Sequence, residues 1–415
     1  MNRNDRSIVS FVMIGHGMVH LYELSIPILM TIWLLEFSVT AAVLGGAVAI
    51  GYGLFGVGAL PGGLLVDRYG SRRLIVVCLT GMGLSFLVLS FASGIVGIAI
   101  AVSLWGLSAS IYHPAGLTLI SNGVTERGRG FAYHGMAGNI GIAFGPLITA
   151  VLLLGFDWRI VAMALAVPAL LAAAIGTIVE FDPTAAVESE EAIAKGPSGP
   201  ESLSEFLTET RRLFTVAFLF VFAVVALNGL YYRGMLTFLP DLLSEFLRST
   251  VGDIQPGFID SDSPFAETFD AAQYLYVGLL VVGIGGQYLG GWLTDRIEPD
   301  RGLVGMLACL TIIALGFVPA VQIGVWGLLA ASSLLGFAMF AMQPLTQATI
   351  AKYSLPDSRG LSFGYTYLAI FGIGALGAAI VGTIRTYGTT SSVFFVLAAF
   401  STLAGTLALI LVSRR

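Results

Sequence analysis

A short string of glycines ending in Asp-Arg occurs twice in this chain, once in each half. Gly62-Gly63-Leu64-Leu65-Val66-Asp67-Arg68 returns 228 positions later as Gly290-Gly291-Trp292-Leu293-Thr294-Asp295-Arg296. Gly106, Pro114 and Arg129-Gly130 return 230 positions later as Gly336, Pro344 and Arg359-Gly360. Both copies lie in apolar, helix-like sequence, so the chain reads as one membrane unit duplicated and fused. Parallel repeats of this kind put a ligand site between the halves, near the bilayer midplane.

The composition agrees. A chain of 415 residues that is 56% hydrophobic and only 11% charged is not a soluble globule. About 20 apolar residues cross a bilayer as a helix. Suitable windows fall at roughly 8–35, 41–66, 74–92, 95–121, 130–154 and 159–180. The second half offers roughly 213–247, 270–294, 303–322, 325–351, 360–384 and 391–412. The expected architecture is an all-α membrane protein with twelve transmembrane helices in two pseudosymmetric six-helix bundles. The bundles are expected at 1–180 and 213–415, joined by a linker over 181–212. That linker holds Pro183, Gly196, Pro197, Gly199 and Pro200 with Glu188, Glu190 and Glu191, a solvated composition. Its end places Leu203, Phe206, Leu207 and Leu213 at helical spacing, the pattern of an amphipathic surface helix. About 15 extra residues sit in the loop between the seventh and eighth windows.

With the N-terminus inside, sixteen of the twenty Lys and Arg fall in cytoplasmic segments. Arg159, Arg248 and Arg385 fall outside, and Arg233 lies within a window. The positive-inside rule then makes both termini cytoplasmic, in a multi-pass protein of the cell membrane. The first window is too long, and too polar at His16, His20 and Glu23, for a cleaved signal peptide. Cys78 and Cys309 lie in opposite halves and are read as packing residues, not a disulfide. A net charge of −5 without a basic stripe points away from nucleic acid. No Gly-x4-Gly-Lys-Ser/Thr loop and no nucleophile–base motif is present, so neither ATP chemistry, nor a cofactor, nor an enzyme is expected.

The string Gly63-Leu-Leu-Val-Asp67-Arg68-Tyr-Gly70-Ser-Arg72-Arg73 resembles the loop 2–3 signature of the major facilitator superfamily, and its degenerate copy at Gly291–Arg296 fits the same pattern. That resemblance implies a transporter whose cytoplasmic gate is latched by Asp67, Arg68 and Asp295. The fourth window carries Gly106-Leu-Ser-Ala-Ser-Ile-Tyr112-His113-Pro114-Ala-Gly116, which looks like the fosmidomycin resistance group of that superfamily. His16, Thr237-Phe-Leu-Pro240 and Gly138-Asn139-x-Gly141-x3-Gly145-Pro146 agree, and the last also resembles a pattern of drug–proton antiporters. The resemblance implies efflux. The group usually carries an acid four residues after the helix 1 histidine; here that position is His20, with the carboxylate at Glu23. Pro114 is expected to kink its helix near His113.

The chemistry lies elsewhere in the pattern. All four histidines, His16, His20, His113 and His134, fall in the first half. His16, His20 and Glu23 sit at i, i+4 and i+7 and share one helix face. Ionisable groups inside a membrane face a cavity or a partner, and imidazoles titrate near neutrality. Three readings stand: a proton-handling face, hydrogen-bonding glue between helices, or half of a metal site that His113 would complete. Metalloprotease chemistry is disfavoured, because Gly17 stands where His-Glu-x-x-His needs Glu. His134 is read first as a cap or loop contact. In the second half Arg233 lies deep in a window and, aligned through Pro27 and Pro240, takes the place of His20. A buried arginine needs an anion, either Glu23 or an acidic substrate. Gln343 stands beside Pro344 where His113 stands beside Pro114. Asn228, Gln347, Tyr365 and Tyr367 are further candidate lining groups.

The expectation is a proton-coupled secondary transporter exporting a small polar or anionic solute or drug by alternating access. Glu23, assisted by His16 or His20, would carry the proton. Arg233, Tyr232, His113 and Gln343 would orient the solute. The alternative is a divalent metal-ion transporter using the His16/His20/Glu23 face. The partners expected are the solute, protons and the lipid bilayer, with the protein a monomer.

Overall fold

The structure, a computed structural model, describes residues 1–186, 203–252, 270–294, 296–354 and 359–414. Among these, twelve helices are long and apolar enough to cross a membrane. In the first half they are α1 (Arg3–Glu36), α2 (Ala41–Gly62), α3 (Ser71–Ser90), α4 (Ile95–Gly123), α5 (Arg129–Leu153) and α6 (Trp158–Ile178). In the second half they are α7 (Val216–Val251), α8 (Ala271–Thr294), α9 (Pro299–Gln322), α10 (Val325–Tyr353), α11 (Gly364–Tyr387) and α12 (Thr390–Ser413).

Pairing repeats between the halves, as duplication requires. In the first, α1 packs on α5, α2 on α4 and α3 on α6. In the second, α7 packs on α11, α8 on α10 and α9 on α12. The result is the two pseudosymmetric six-helix bundles that the repeat implies. An even number of alternating spans leaves both termini at one end, the termini end. Arg414 accordingly lies over the ring of Phe220 at the start of α7, 5.2 Å from its centroid.

Local chemistry sets the helix ends. Asn2 caps α1 by accepting from the Asp5 amide at 2.8 Å, which starts the helix about a turn before the apolar window. Asp5 then accepts from the Thr125 amide (3.1 Å), the Thr125 hydroxyl (2.7 Å) and the Glu126 amide (3.2 Å). One buried carboxylate thus ties the start of α1 to the α4–α5 turn. Outside the spans, hydrogen bonds from the N-terminal ammonium and from Arg129 hold the Glu126 carboxyl below its usual range. Gly70 turns the chain between α2 and α3 at φ 80°, a conformation open to glycine at no steric cost.

Proline acts unequally. α4 is interrupted at Ile111, three residues before Pro114, where the sequence led us to expect a kink near His113. Pro114 has no amide hydrogen to give the Ser110 carbonyl, so the helix loses its regularity at that acceptor. α10 runs unbroken through Pro344. A π-helical turn, Leu368–Ile373, lies in α11, and no feature of the sequence pattern pointed to it.

The bundles meet most closely along α2 and α11. A Cβ added at Gly56 would lie 2.5 Å from the Gly372 Cα and the Phe371 carbonyl carbon, so the backbones touch where no side chain fits. Nearer the far end, the Ala42 amide donates to the Thr386 hydroxyl at 2.9 Å across the same seam. The linker helix Leu203–Leu213 rests against the start of α11, with the Thr210 and Tyr365 hydroxyls 2.9 Å apart. Tyr365, a candidate lining residue, is therefore used here. Cys78 is buried, Cys309 is exposed and both thiols are free.

Candidate functional site

A cavity of about 490 Å³ opens between the bundles. Its walls come from the middle of α1, α7 and α8 and from the termini-side halves of α4, α5, α10 and α11. Phe131 and Gln347 on its rim are exposed, whereas the α2–α11 seam closes the far end. The site is therefore accessible from the termini end only in this conformation.

The first-half wall is built by close approach of α1 and α5. A Cβ at Gly138 would lie 2.5 Å from the His16 ring, so glycine there lets the two backbones converge. The His134 carbonyl, one turn earlier, then reaches His16 Nδ1 at 2.7 Å. His16 Nε2 lies 3.1 Å from His20 Nε2, and His20 Nδ1 lies 2.6 Å from Glu23 Oε2. The other oxygen, Glu23 Oε1, accepts from Arg233 Nη2 at 2.5 Å. One line of contacts thus runs from α5 through α1 to α7, crossing from one bundle to the other.

Arg233 stacks over Tyr52 with its guanidinium carbon 3.8 Å from the ring centroid, and the Tyr52 hydroxyl donates to the Glu23 carbonyl at 3.2 Å. Glu23 is 1% and Arg233 3% exposed. An ion pair that dry is held only where geometry and added hydrogen bonds offset desolvation, which the stacking and the second donor on Glu23 provide. Arg233 lies behind Glu23 and does not border the cavity itself. Of the two anions open to it, the structure supplies Glu23.

His113 does border the cavity, edge-on to His16 and His20 with ring centroids 5.2 and 5.8 Å away. Nitrogens of His16, His20 and His113 lie within 4.8 Å of one another, the grouping that could gather a metal ion. It differs from the expected His16/His20/Glu23 face, because both Glu23 oxygens already hold donors. Zinc would need the three nitrogens drawn in to about 3.3 Å, the edge of a tetrahedron with 2.0–2.1 Å bonds.

The opposite wall is amide-rich. Gln287 Nε2 donates to Gln343 Oε1 at 3.3 Å, and Tyr232 lines the same wall. Asn228 Oδ1, Gln287 Oε1 and His134 Nε2 are buried and have no hydrogen-bond partner among the described residues. Buried polar atoms of that kind await water or a ligand. Tyr232, His113, Gln343, Asn228, Gln347 and Tyr367 all line the cavity. Three contributors were not singled out as site residues: His134, Gln287 and Tyr52. His134 carried a signal, as one of only four histidines; nothing in the pattern around Tyr52 or Gln287 marks them. Of the gating residues, Arg68 is exposed over the Tyr69 ring at 5.4 Å. The Asp67 side chain and the whole of Asp295 lie outside the described residues.

Twelve spans among the described residues, in twin bundles around a central cavity, are the architecture of a membrane transporter. The sequence profile of the Major Facilitator Superfamily matches residues 11–366 and 263–415, and the chain belongs to that family. Among curated relatives, an uncharacterized MFS-type transporter of Bacillus subtilis is 26% identical over 365 residues, covering 85% of this chain and 79% of the relative. A Na(+), Li(+), K(+)/H(+) antiporter of Planococcus maritimus is 25% identical over 381 residues, covering 87% and 86%. The crystal structure of a bacterial homologue of the human lysosomal transporter Spinster, inward-facing and unoccupied, superposes with a TM-score of 0.77 at 14% identity over 99% of this chain and 97% of that one.

Proposed function

We propose that the chain is a proton-coupled secondary transporter that moves a small polar solute out of the cell by alternating access. The observation that supports this most is the contact line His16–His20–Glu23–Arg233. It borders the solute cavity and crosses the bundle interface, so protonation, solute occupancy and bundle contact bear on the same few atoms. Relatedness to a cation/proton antiporter supports proton exchange, and the His113-Pro114 resemblance to the fosmidomycin resistance group supports export. Basic-residue bias supports a cytoplasmic termini end in a cell-membrane protein. Residues 1–180 and 213–415 act as the two rocking units, joined by 181–212, with Asp67, Arg68 and Asp295 at the cytoplasmic gate.

The solute meets Tyr232, His113 and Gln343 directly. Arg233 acts at one remove: paired with Glu23, it can meet an anion only after Glu23 lets go. A neutral solute rich in hydrogen-bonding groups suits the unpartnered amides better than a carboxylate does. The three-histidine grouping favours a second reading, a divalent metal ion as cargo.

A thermal-shift screen of purified protein against polar solutes, organic anions and divalent metals identifies the ligand. Transport of that ligand in proteoliposomes is then expected to respond to an imposed pH gradient and to reverse with its sign. Flux indifferent to the gradient would overturn proton coupling. Stabilisation by metals alone, abolished by His16→Ala with His20→Ala, would favour the metal reading.

A further inference from the structure

We infer that His16 and His20 share one bound proton between their Nε2 atoms, while Glu23 stays a carboxylate beside Arg233. This deepens the proton-coupled reading and rests on it, by assigning the coupling proton to a histidine pair instead of to the carboxylate.

His16 Nδ1 faces the His134 carbonyl at 2.7 Å, and a carbonyl only accepts, so Nδ1 carries hydrogen. His20 Nδ1 faces Glu23 Oε2 at 2.6 Å, while Oε1 of the same carboxylate accepts from Arg233 at 2.5 Å. Guanidinium stays charged, so the paired Glu23 is the anion and His20 Nδ1 carries hydrogen as well. A neutral imidazole has one N–H, which leaves Nε2 of both rings as bare lone pairs. Those two atoms face each other at 3.1 Å. Two lone pairs that close repel, and burial makes the unmet acceptors costly. A single proton between them converts the contact into an imidazolium–imidazole hydrogen bond of ordinary length.

Another arrangement holds the same number of hydrogens. Glu23 would be a carboxylic acid donating to His20 Nδ1, and His20 would donate from Nε2 to His16. It leaves the buried Arg233 charge with no anion, so the ion pair selects against it. The remaining groups around the pair are His113 and Tyr112 of α4, His134 of α5, Tyr52 of α2, and Tyr232 of α7. None of these supplies a second anion.

Loss of the shared proton would put the two lone pairs back in opposition and drive the rings apart. His20 would then pull on Glu23, and through it on the contact with Arg233 in the other bundle. Glu23→Gln has a specific consequence. Gln can donate to His20 Nδ1, His20 then donates from Nε2 to His16, and the line is satisfied without an extra proton.

The chain has only four histidines, so NMR of protein in lipid nanodiscs with 15N-labelled histidine is tractable. The expected acidic-buffer spectrum shows protonated Nδ1 on both rings and one N–H–N correlation between their Nε2 atoms. That correlation should vanish in a single step in alkaline buffer. In Glu23→Gln, His20 Nδ1 should become unprotonated and the pair insensitive to pH. An unprotonated His20 Nδ1 in the native protein, or no N–H–N correlation at any pH where it is folded, overturns the assignment. So does a stoichiometric divalent metal in protein prepared without chelator. If Glu23→Gln does not fold, the native spectrum alone decides. Failure of the transport reading would look different: the correlation present, with solute flux deaf to the pH gradient.

Discussion

Replacing Arg233 with methionine tests what the inter-bundle ion pair does for the far-end seal. The pair joins α1 to α7 while the cavity is closed at the far end. When the far end opens, both groups meet water, so the pair can stabilise only the sealed conformation. Removing one partner of a buried pair costs about 3–5 kcal/mol. His20 remains on the second Glu23 oxygen, which puts Arg233→Met at the lower bound, about 3 kcal/mol. At 1.4 kcal/mol per tenfold, the balance between sealed and open states should move by about 100-fold. The assay is the reaction rate of a hydrophilic maleimide with Ala42→Cys, placed in the α2–α11 seam, after Cys78 and Cys309 are replaced by Ala. With Arg233 present the site is half-buried, its backbone amide held by the Thr386 hydroxyl, and should react slowly. In Arg233→Met the rate should rise by about two orders of magnitude. Arg233→Lys should fall between, since it keeps the charge but loses the stack on Tyr52. A rate in Arg233→Met within about threefold of the parent, in protein that elutes as a folded monodisperse species, would refute the reasoning.

Three further outcomes can be checked independently. Thr389→Cys, in the far-end turn before α12, should label from outside intact cells with an impermeant reagent; labelling only after permeabilisation would reverse the orientation. Asp5→Ala removes the acceptor of three hydrogen bonds at the α4–α5 turn and should lower stability by about 2–4 kcal/mol, read as a fall in the thermal midpoint. Its effect should be on the yield of folded protein, not on the pH response of solute flux. Gly56→Leu leaves no room for its side chain against Gly372 and should cost about 1–3 kcal/mol through overpacking.

The architecture was legible because bilayer thickness and duplication leave few choices. Apolar windows of about 20 residues, repeated at a fixed offset, admit only helices, and twin copies admit only similar bundles. The shared face of His16, His20 and Glu23 followed from helical period alone, and Arg233 opposite His20 from the alignment of the halves. Side-chain rotation and depth did not follow. Periodicity gives a face, not whether Arg233 lines the cavity or lies behind Glu23, and not that Tyr52 from α2 covers its guanidinium. His134 was set aside as a loop contact because position along α5 says nothing of how closely Gly138 lets α1 approach. The break in α4 falls at Ile111, two residues before the His113 position expected from the proline, because the missing bond is felt at its acceptor, Ser110.

The departure from symmetry is itself a physical requirement. Exact duplication would set like against like across the interface: His20 opposite a second histidine, and His113 opposite another. Facing imidazoles could share protons, but with no fixed charge to hold a carboxylate ionised, the proton would have several equivalent resting places. Arg233 in place of His20 removes that degeneracy, since it fixes Glu23 as an anion from the other bundle. Gln343 in place of His113 leaves the second wall with neutral donors and acceptors, suited to a solute and unable to take the proton. Titratable groups therefore collect on one bundle, and their permanent counter-charge on the other. That division lets the motion of one half against the other separate Glu23 from Arg233, which is what would make proton affinity depend on the side to which the cavity opens.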